Sequence, residues 1–219
     1  AFPRHVPLAD ASRIAGWIAG AVGGGRKVHL STSVSAAVRV ASAAKAAGVD
    51  LGGVFFCVGG EPLTRRRAAV FAEAGGRVSS LYSMTECGQI GSGCADAAEP
   101  DDVHLMRSKI AAIQRERPGG IAGSPVPGAL FLTTLRPSTA KVMLNAESGD
   151  TAVLERRRCG CPTGALGLDD HLHSIRSYEK LTSEGMSILA DDVLHLVEAV
   201  LPGRFGGTAT DYQFVEERG

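Results

Sequence analysis

Apolar residues at Ile14, Trp17, Ile18 and Val22 recur at the three-and-four spacing of one helix face, and Gly23-Gly24-Gly25 ends the run. This pattern predicts an amphipathic helix over Asp10–Val22, followed by a short strand over Lys27–Leu30. Ser31, Thr32 or Ser33 then offers a side-chain cap for a second helix through Ala36, Val40 and Ala44 to Gly48. The run Val54-Phe55-Phe56-Cys57-Val58 has the length of a buried strand. Pro62 opens a third helix over Thr64–Ala74, Gly75-Gly76 closes it, and Arg77–Tyr82 reads as the next strand. Strand and helix thus alternate, which implies an α/β fold with a parallel sheet and crossover helices. Such sheets take ligands outside the carboxyl ends of their strands.

After Glu86 the pattern changes. Gly, Pro and Asp become frequent, and short strands are predicted around His104, Ile110–Gln114, Leu130–Thr134, Val142–Asn145 and Thr151–Leu154. Their order suggests a small antiparallel sheet or barrel. A linker is expected near Arg176–Gly185. From Glu184, the residues Ile188, Val193, Leu194, Val197 and Val200 predict a helix that stops before Pro202-Gly203.

The 219 residues are 44% hydrophobic and carry 23 basic against 23 acidic side chains. That is enough chain for a real core, and it leaves no basic field for binding nucleic acid through many phosphates. Only 5% of residues are aromatic, too few for a base-stacking platform. No apolar stretch has the length of a membrane span, and Ala1-Phe2-Pro3-Arg4-His5 lacks the layout of a signal peptide, so a cytoplasmic protein is expected. The five cysteines (57, 87, 94, 159 and 161) are odd in number, which favours metal ligation or buried thiols over a disulfide framework.

No Walker loop, GxGxxG, GxSxG or HExxH motif occurs. The remaining candidates are turns after predicted strands. Gly59-Gly60-Glu61-Pro62 is either a plain strand-to-helix turn or a place where missing side chains let a flat ring approach the backbone. Thr85-Glu86, at the end of Tyr82-Ser83-Met84-Thr85-Glu86, is either a solvated turn or a hydroxyl and carboxylate for magnesium and phosphate. Asp150, in Ser148-Gly149-Asp150, is either a turn aspartate or an acceptor for two ribose hydroxyls.

Taken in order, these segments resemble the adenylate-forming superfamily, and within it the phenylacetate-coenzyme A ligases. Gly59-Gly60-Glu61-Pro62 is similar to that family's adenine-contacting turn. Tyr82–Glu86 is similar to its Tyr-Gly-x-(Thr/Ser)-Glu, and Leu132-Thr133-Thr134-Leu135 through Ser148-Gly149-Asp150 to its Leu-Thr-Thr-Leu to Thr-Gly-Asp segment. The resemblance implies that Tyr82 stacks on adenine, Thr85 contacts the α-phosphate, Glu86 holds magnesium and Asp150 binds ribose. Arg176 matches the arginine before the family's domain hinge, where Ser177, Tyr178 and Glu179 replace the usual acidic pair. Ser83 stands where the family has glycine, and Asn145 and Glu147 where an Arg-Tyr-Arg stretch is common. The division it implies is an α/β part over 1–90, an antiparallel part with a zinc site over 91–175, and a hinge with the start of a C-terminal α+β subdomain over 176–219.

Cys159-Gly160-Cys161 is a two-thiolate hook, with Cys94 and His104 upstream. Four such donors suit tetrahedral zinc. The resembled branch carries Cys and His after its Tyr-Gly-x-(Thr/Ser)-Glu motif and a later Cys-Pro-Cys-Gly, and these four residues fall on those positions. A closed structural zinc is therefore expected. His171 and His173 compete as ligands, against the commoner reading of an exposed polar strand; Cys57 reads as core and Cys87 as a spare thiol beside Glu86. Arg65-Arg66-Arg67 and Arg156-Arg157-Arg158 read as solvated faces, the first with a minor reading as a pyrophosphate or coenzyme A contact.

The family's Ser/Thr/Gly-rich loop ending in lysine and its late lysine have no counterpart here, and Lys27–Ser33 has too little glycine to be that loop. Two readings follow. One is a partial chain of an ATP-dependent ligase that joins a carboxylic acid to AMP and then to coenzyme A or another thiol, completed by a missing half, a partner chain or a second copy in a homodimer. The other is a zinc-stabilised scaffold or binding protein without the chemistry.

Overall fold

The computed structural model describes residues 5–118, 126–178, 180–183 and 186–215. The N-terminal Ala1–Arg4, Glu179 of the hinge position, and Glu184 with Gly185 lie outside the described residues.

The first half follows its local signals. Helix α1 covers Ala11–Gly23, strand β1 Val28–Ser33, helix α2 Val34–Ala46, strand β2 Val54–Gly59, helix α3 Arg65–Glu73 and strand β3 Arg77–Met84. Ser33 caps α2 by accepting from the Ala36 N–H at 3.4 Å, and Thr64 caps α3 by accepting from that of Arg67 at 3.2 Å. Strands β1, β2 and β3 pair in parallel. Alternation along β2 sends Val54, Phe56 and Val58 into a core with Ile18, Val38, Ala41 and Phe71 from the helices. Phe55 and Cys57 fall on the other face: Phe55 is exposed and Cys57 half-buried, not core.

The second half does not build a separate sheet. Strands β4 (Gly88–Gly93), β5 (Val103–Leu105), β6 (Ile110–Arg117), β7 (Val126–Thr134), β8 (Ala146–Arg156) and β9 (Asp170–Ser177) continue the first one. The nine strands stand in the order β1-β2-β3-β4-β5-β9-β8-β7-β6, antiparallel from β3 onward and with β1 and β6 at the edges. A second core gathers Ile90, Val103, Ile110, Leu130, Leu132 and Leu172. Cys87, read as a spare thiol, is buried in that core.

Four expectations fail. Val142–Asn145 is not a strand: Val142 and Leu144 are exposed, Asn145 takes a φ of 46°, and β8 starts at Ala146. Tyr82, Ser83 and Met84 lie within β3, so Tyr82–Glu86 straddles the strand end and the β3–β4 turn. In the C-terminal part the strands β10 (Lys180–Ser183) and β11 (Met186–Leu189) pair antiparallel where a linker and the start of a helix were expected. Helix α4 (Ala190–His195) then runs through a π turn at Leu196–Val200 into α5 (Leu201–Phe205), so Pro202 and Gly203 do not stop it. A proline ring obstructs the carbonyl four residues back. Here that carbonyl belongs to Glu198; the wider π turn relieves the clash, and the Arg66 Nη1 donates to the oxygen at 2.9 Å.

Glu198 also draws its side chain inward. It is buried, accepts from the Thr64 hydroxyl at 2.8 Å and stands 2.5 Å from the Arg67 Nε. Arg67 is thus an internal ion-pair partner, whereas Arg65 is exposed beside Glu99. Removing Glu198 leaves the Thr64 hydroxyl without its acceptor and Arg67 with Glu61 alone as ion-pair partner, at about 3 kcal/mol. Glu198→Ala is expected to lower unfolding free energy by about that amount in a urea titration; a loss within 0.5 kcal/mol, roughly the noise of surface changes, would contradict the pairing.

Candidate functional site

The turn after β2 depends on its two glycines. A side chain at Gly59 would begin 2.7 Å from the Leu81 carbonyl, and Gly60 takes a φ of 77°, so each glycine is needed for the backbone itself. Glu61 accepts from the backbone N–H and the hydroxyl of Ser35, at 3.1 and 2.6 Å, and from the Arg67 Nη1 at 3.0 Å. The carboxylate therefore sits at the N-terminus of α2, where the helix dipole favours it.

Gly60, Glu61 and Pro62 face Tyr82 and Ser83 of β3 and Asp150 of β8 across a cavity of about 200 Å³. The Tyr82 hydroxyl donates to the Asp150 Oδ2 at 2.7 Å. Burial, reinforced by that carboxylate, pushes the Tyr82 phenol well above its usual range, so it stays a donor. Glu86 does not share this cavity. It borders a larger, open one of about 1010 Å³ with Met84, Arg117, Lys141, Glu147 and Tyr178, and Thr85 is exposed in the same turn. There the Tyr178 hydroxyl donates to Glu147, which also pairs with Arg117.

Arg176 lies beside a third cavity of about 320 Å³, next to Asp101. Asp101 is buried and borders the 200 Å³ cavity as well. Its carboxylate accepts from the Ser174 N–H at 3.0 Å, the Ile175 N–H at 2.8 Å and the Arg176 Nη1 at 3.0 Å. Nothing in the sequence around Asp101 marks it, because all three partners lie far along the chain.

The metal-ligand candidates converge. The Cys161 Sγ stands 3.0 Å from the His104 Nε2 and 3.4 Å from the Cys159 Sγ, which is 3.7 Å from the same nitrogen. The donor atoms of Cys94, His104, Cys159 and His171 all lie within 4.8 Å of one another. Donors around a tetrahedral zinc stand roughly 3.3–3.8 Å apart, so the cluster can hold a metal ion. His171 is the surprise: it is buried on β9, not exposed. The β5–β9 register pairs it with His104, and the two rings lie 4.2 Å apart.

Each imidazole is turned the same way by its outer nitrogen. The His104 Nδ1–H donates to the Leu168 carbonyl at 2.6 Å and the His171 Nδ1–H to the Asp102 Oδ1 at 2.8 Å, leaving both Nε2 lone pairs for the cluster. The His171 Nε2 is buried and has no hydrogen-bond partner among the described residues, as a ligand atom would be. Burial raises the Cys94 thiol to about 12. Burial also acts to raise Cys161, but N–H donation from Gly164 and contacts with Cys159 and His104 outweigh it and hold that thiol near 6. Arg157, expected on a solvated face, pairs with Asp102 beside the cluster.

No family model matches the chain, and no curated relative does. Solved structures do match. A point mutant of the amide bond synthetase McbA from Marinactinospora thermotolerans aligns with a TM-score of 0.51 at 16% identity, covering 84% of this chain and 39% of that one. An acyl-CoA synthetase (AMP-forming)/AMP-acid ligase II-like protein from Dyadobacter fermentans aligns over 80% of this chain and 43% of its own, at 16% identity and a TM-score of 0.42. A variant of E. coli MenE with bound OSB-AMS aligns over 84% of this chain and 36% of its own, at 13% identity and a TM-score of 0.48. The fold is thus similar to part of the McbA fold, and the chain spans less than half the length of each of these proteins. Among the described residues, no helix is long and apolar enough to cross a membrane.

Proposed function

We propose that the chain is the central and later part of an adenylate-forming ligase of the phenylacetate-coenzyme A ligase type. Such an enzyme joins a carboxylic acid to ATP as an acyl adenylate with release of pyrophosphate, and a thiol such as coenzyme A then displaces AMP. One observation carries this reading. Gly60, Glu61, Pro62, Tyr82, Ser83 and Asp150 come from three separate segments with nucleotide-site resemblance, and they line one cavity. The likeness in fold to an amide bond synthetase is in keeping with it.

In this reading the cavity takes the nucleoside, with the Tyr82 ring against the base. Asp150 exchanges its bond from the Tyr82 hydroxyl for bonds from the ribose. Glu86, bordering the neighbouring open cavity, faces the phosphates; magnesium held there would neutralise their charge. Positioning and electrostatics dominate such chemistry. The Cys/His cluster holds a structural zinc, with four donors drawn from Cys94, His104, Cys159, Cys161 and His171.

The test begins with the mass of the protein isolated from its source, followed by ATP–pyrophosphate exchange with that form and a set of aryl acids. Acid-dependent exchange supports the ligase; its absence across the set, with no saturable AMP binding, overturns it. Asp150→Asn should weaken AMP binding by calorimetry roughly 10- to 100-fold, the worth of hydrogen bonds to a charged group. Unchanged affinity would remove Asp150 from the ribose site.

A non-catalytic scaffold is the second reading. What favours it is that the carboxylates of Glu61 and Asp150 are already engaged by protein donors. A scaffold has zinc and no nucleotide affinity.

A further inference from the structure

Asp101 and Asp102 are consecutive, both buried, and serve different sites. Asp102 belongs to the metal cluster: besides holding His171 and pairing with Arg157, it accepts from the Ala98 N–H at 2.9 Å, and its carbonyl accepts from the Cys94 N–H at 2.9 Å. Asp101 belongs to the other side, holding the Ser174 and Ile175 backbone and the Arg176 guanidinium beside the 200 Å³ cavity. The segment carrying both begins at Cys94 and ends at His104, so two metal donors clamp its ends.

A buried carboxylate with three donors tolerates little displacement, because any lost bond leaves charge unsatisfied. A shift of the 94–104 segment is therefore felt at once by Arg176 and by the β9 backbone facing Asp150, which pairs with Ser177. We propose that Asp101 is a positioning residue that transmits the state of the metal centre to the nucleotide cavity, so that nucleotide binding depends on the bound metal. The proposal rests on the reading of that cavity as a nucleotide site.

The experiment uses the purified protein loaded with zinc or stripped by a chelator, as wild type and as Asp101→Asn. Amide hydrogen exchange is read at Ser174 and Ile175, with Val54–Gly59 of β2 as the internal reference. Stripping the wild type should speed exchange at Ser174 and Ile175 roughly tenfold or more, the worth of a hydrogen bond to a charged group, while β2 stays protected. Asp101→Asn should bind zinc fully, show the faster exchange even when loaded, and respond no further to stripping. AMP affinity should fall roughly tenfold or more in both the stripped wild type and the loaded variant.

Unchanged protection at Ser174 and Ile175 on stripping, an equal rise across β2, or equal AMP affinity in loaded and stripped wild type overturns the proposal. The stripping arm needs no variant, so misfolding of Asp101→Asn leaves it decisive. Failure of loaded wild type to bind AMP refutes the nucleotide reading instead, and the exchange arm then decides the coupling alone.

Discussion

Replacing Cys159 by serine is expected to abolish stoichiometric zinc and to lower the melting temperature by roughly 10–20 °C. Structural zinc contributes on the order of 10 kcal/mol or more to small domains, and losing about 4–5 kcal/mol of it shifts a domain of this size by roughly 2–4 °C per kcal/mol. The cluster is embedded in the sheet, with His104 on β5 and His171 on β9, so the loss reaches a strand pairing within the second core. Elemental analysis with calorimetry is the check. Unchanged zinc content together with unchanged melting would refute the metal centre.

Glu86→Gln is expected to reduce acid-dependent ATP–pyrophosphate exchange roughly 100-fold or more, in the longest form of the protein obtained from its source. The amide keeps the size of the side chain and removes the negative charge that a hard divalent cation requires. Losing one group that stabilises the transferring phosphates typically costs about 100- to 1000-fold. Glu86 is not held in the nucleoside cavity, so AMP affinity should change little. Fully retained exchange would remove Glu86 from the reaction, and a comparable loss of AMP affinity would place it at the nucleoside instead.

The helices and parallel strands were legible because their signals are local: Ser33 and Thr64 cap, and glycines stop, whatever lies elsewhere. The antiparallel half was harder. Strand β4 reads Gly-Gln-Ile-Gly-Ser-Gly and carries no apolar run, since it owes its existence to the neighbours that pair with it. Val142 and Leu144 look like a strand yet lie in solvent. The helix stop at Pro202 was overridden by a π turn and by Arg66, from a distant part of the chain.

The same split divides the site. Cys94, His104, Cys159 and Cys161 could be grouped from the two-thiolate hook together with the family resemblance; cysteine chemistry alone does not suffice, because free cysteines such as Cys87 also fill cores. His171 could not, since alternation puts His171 and His173 on one face of β9 without saying which of them meets another ligand; β5 across the ladder decides that. Asp101 and Asp102 resemble any acidic turn until the donors that converge on them are known.

The pairing of His104 with His171 also bears on how the chain finds its structure. Strand β5 has only three residues, Val103–Leu105, so its own hydrogen bonds discriminate weakly between alignments with β9. A slip of one residue turns side chains to the opposite face and parts the two imidazoles. Only the native alignment offers both to one cation along with the thiolates. An ion captured there would therefore act as a gauge of strand alignment during folding, rewarding the native β5–β9 pairing over its near neighbours.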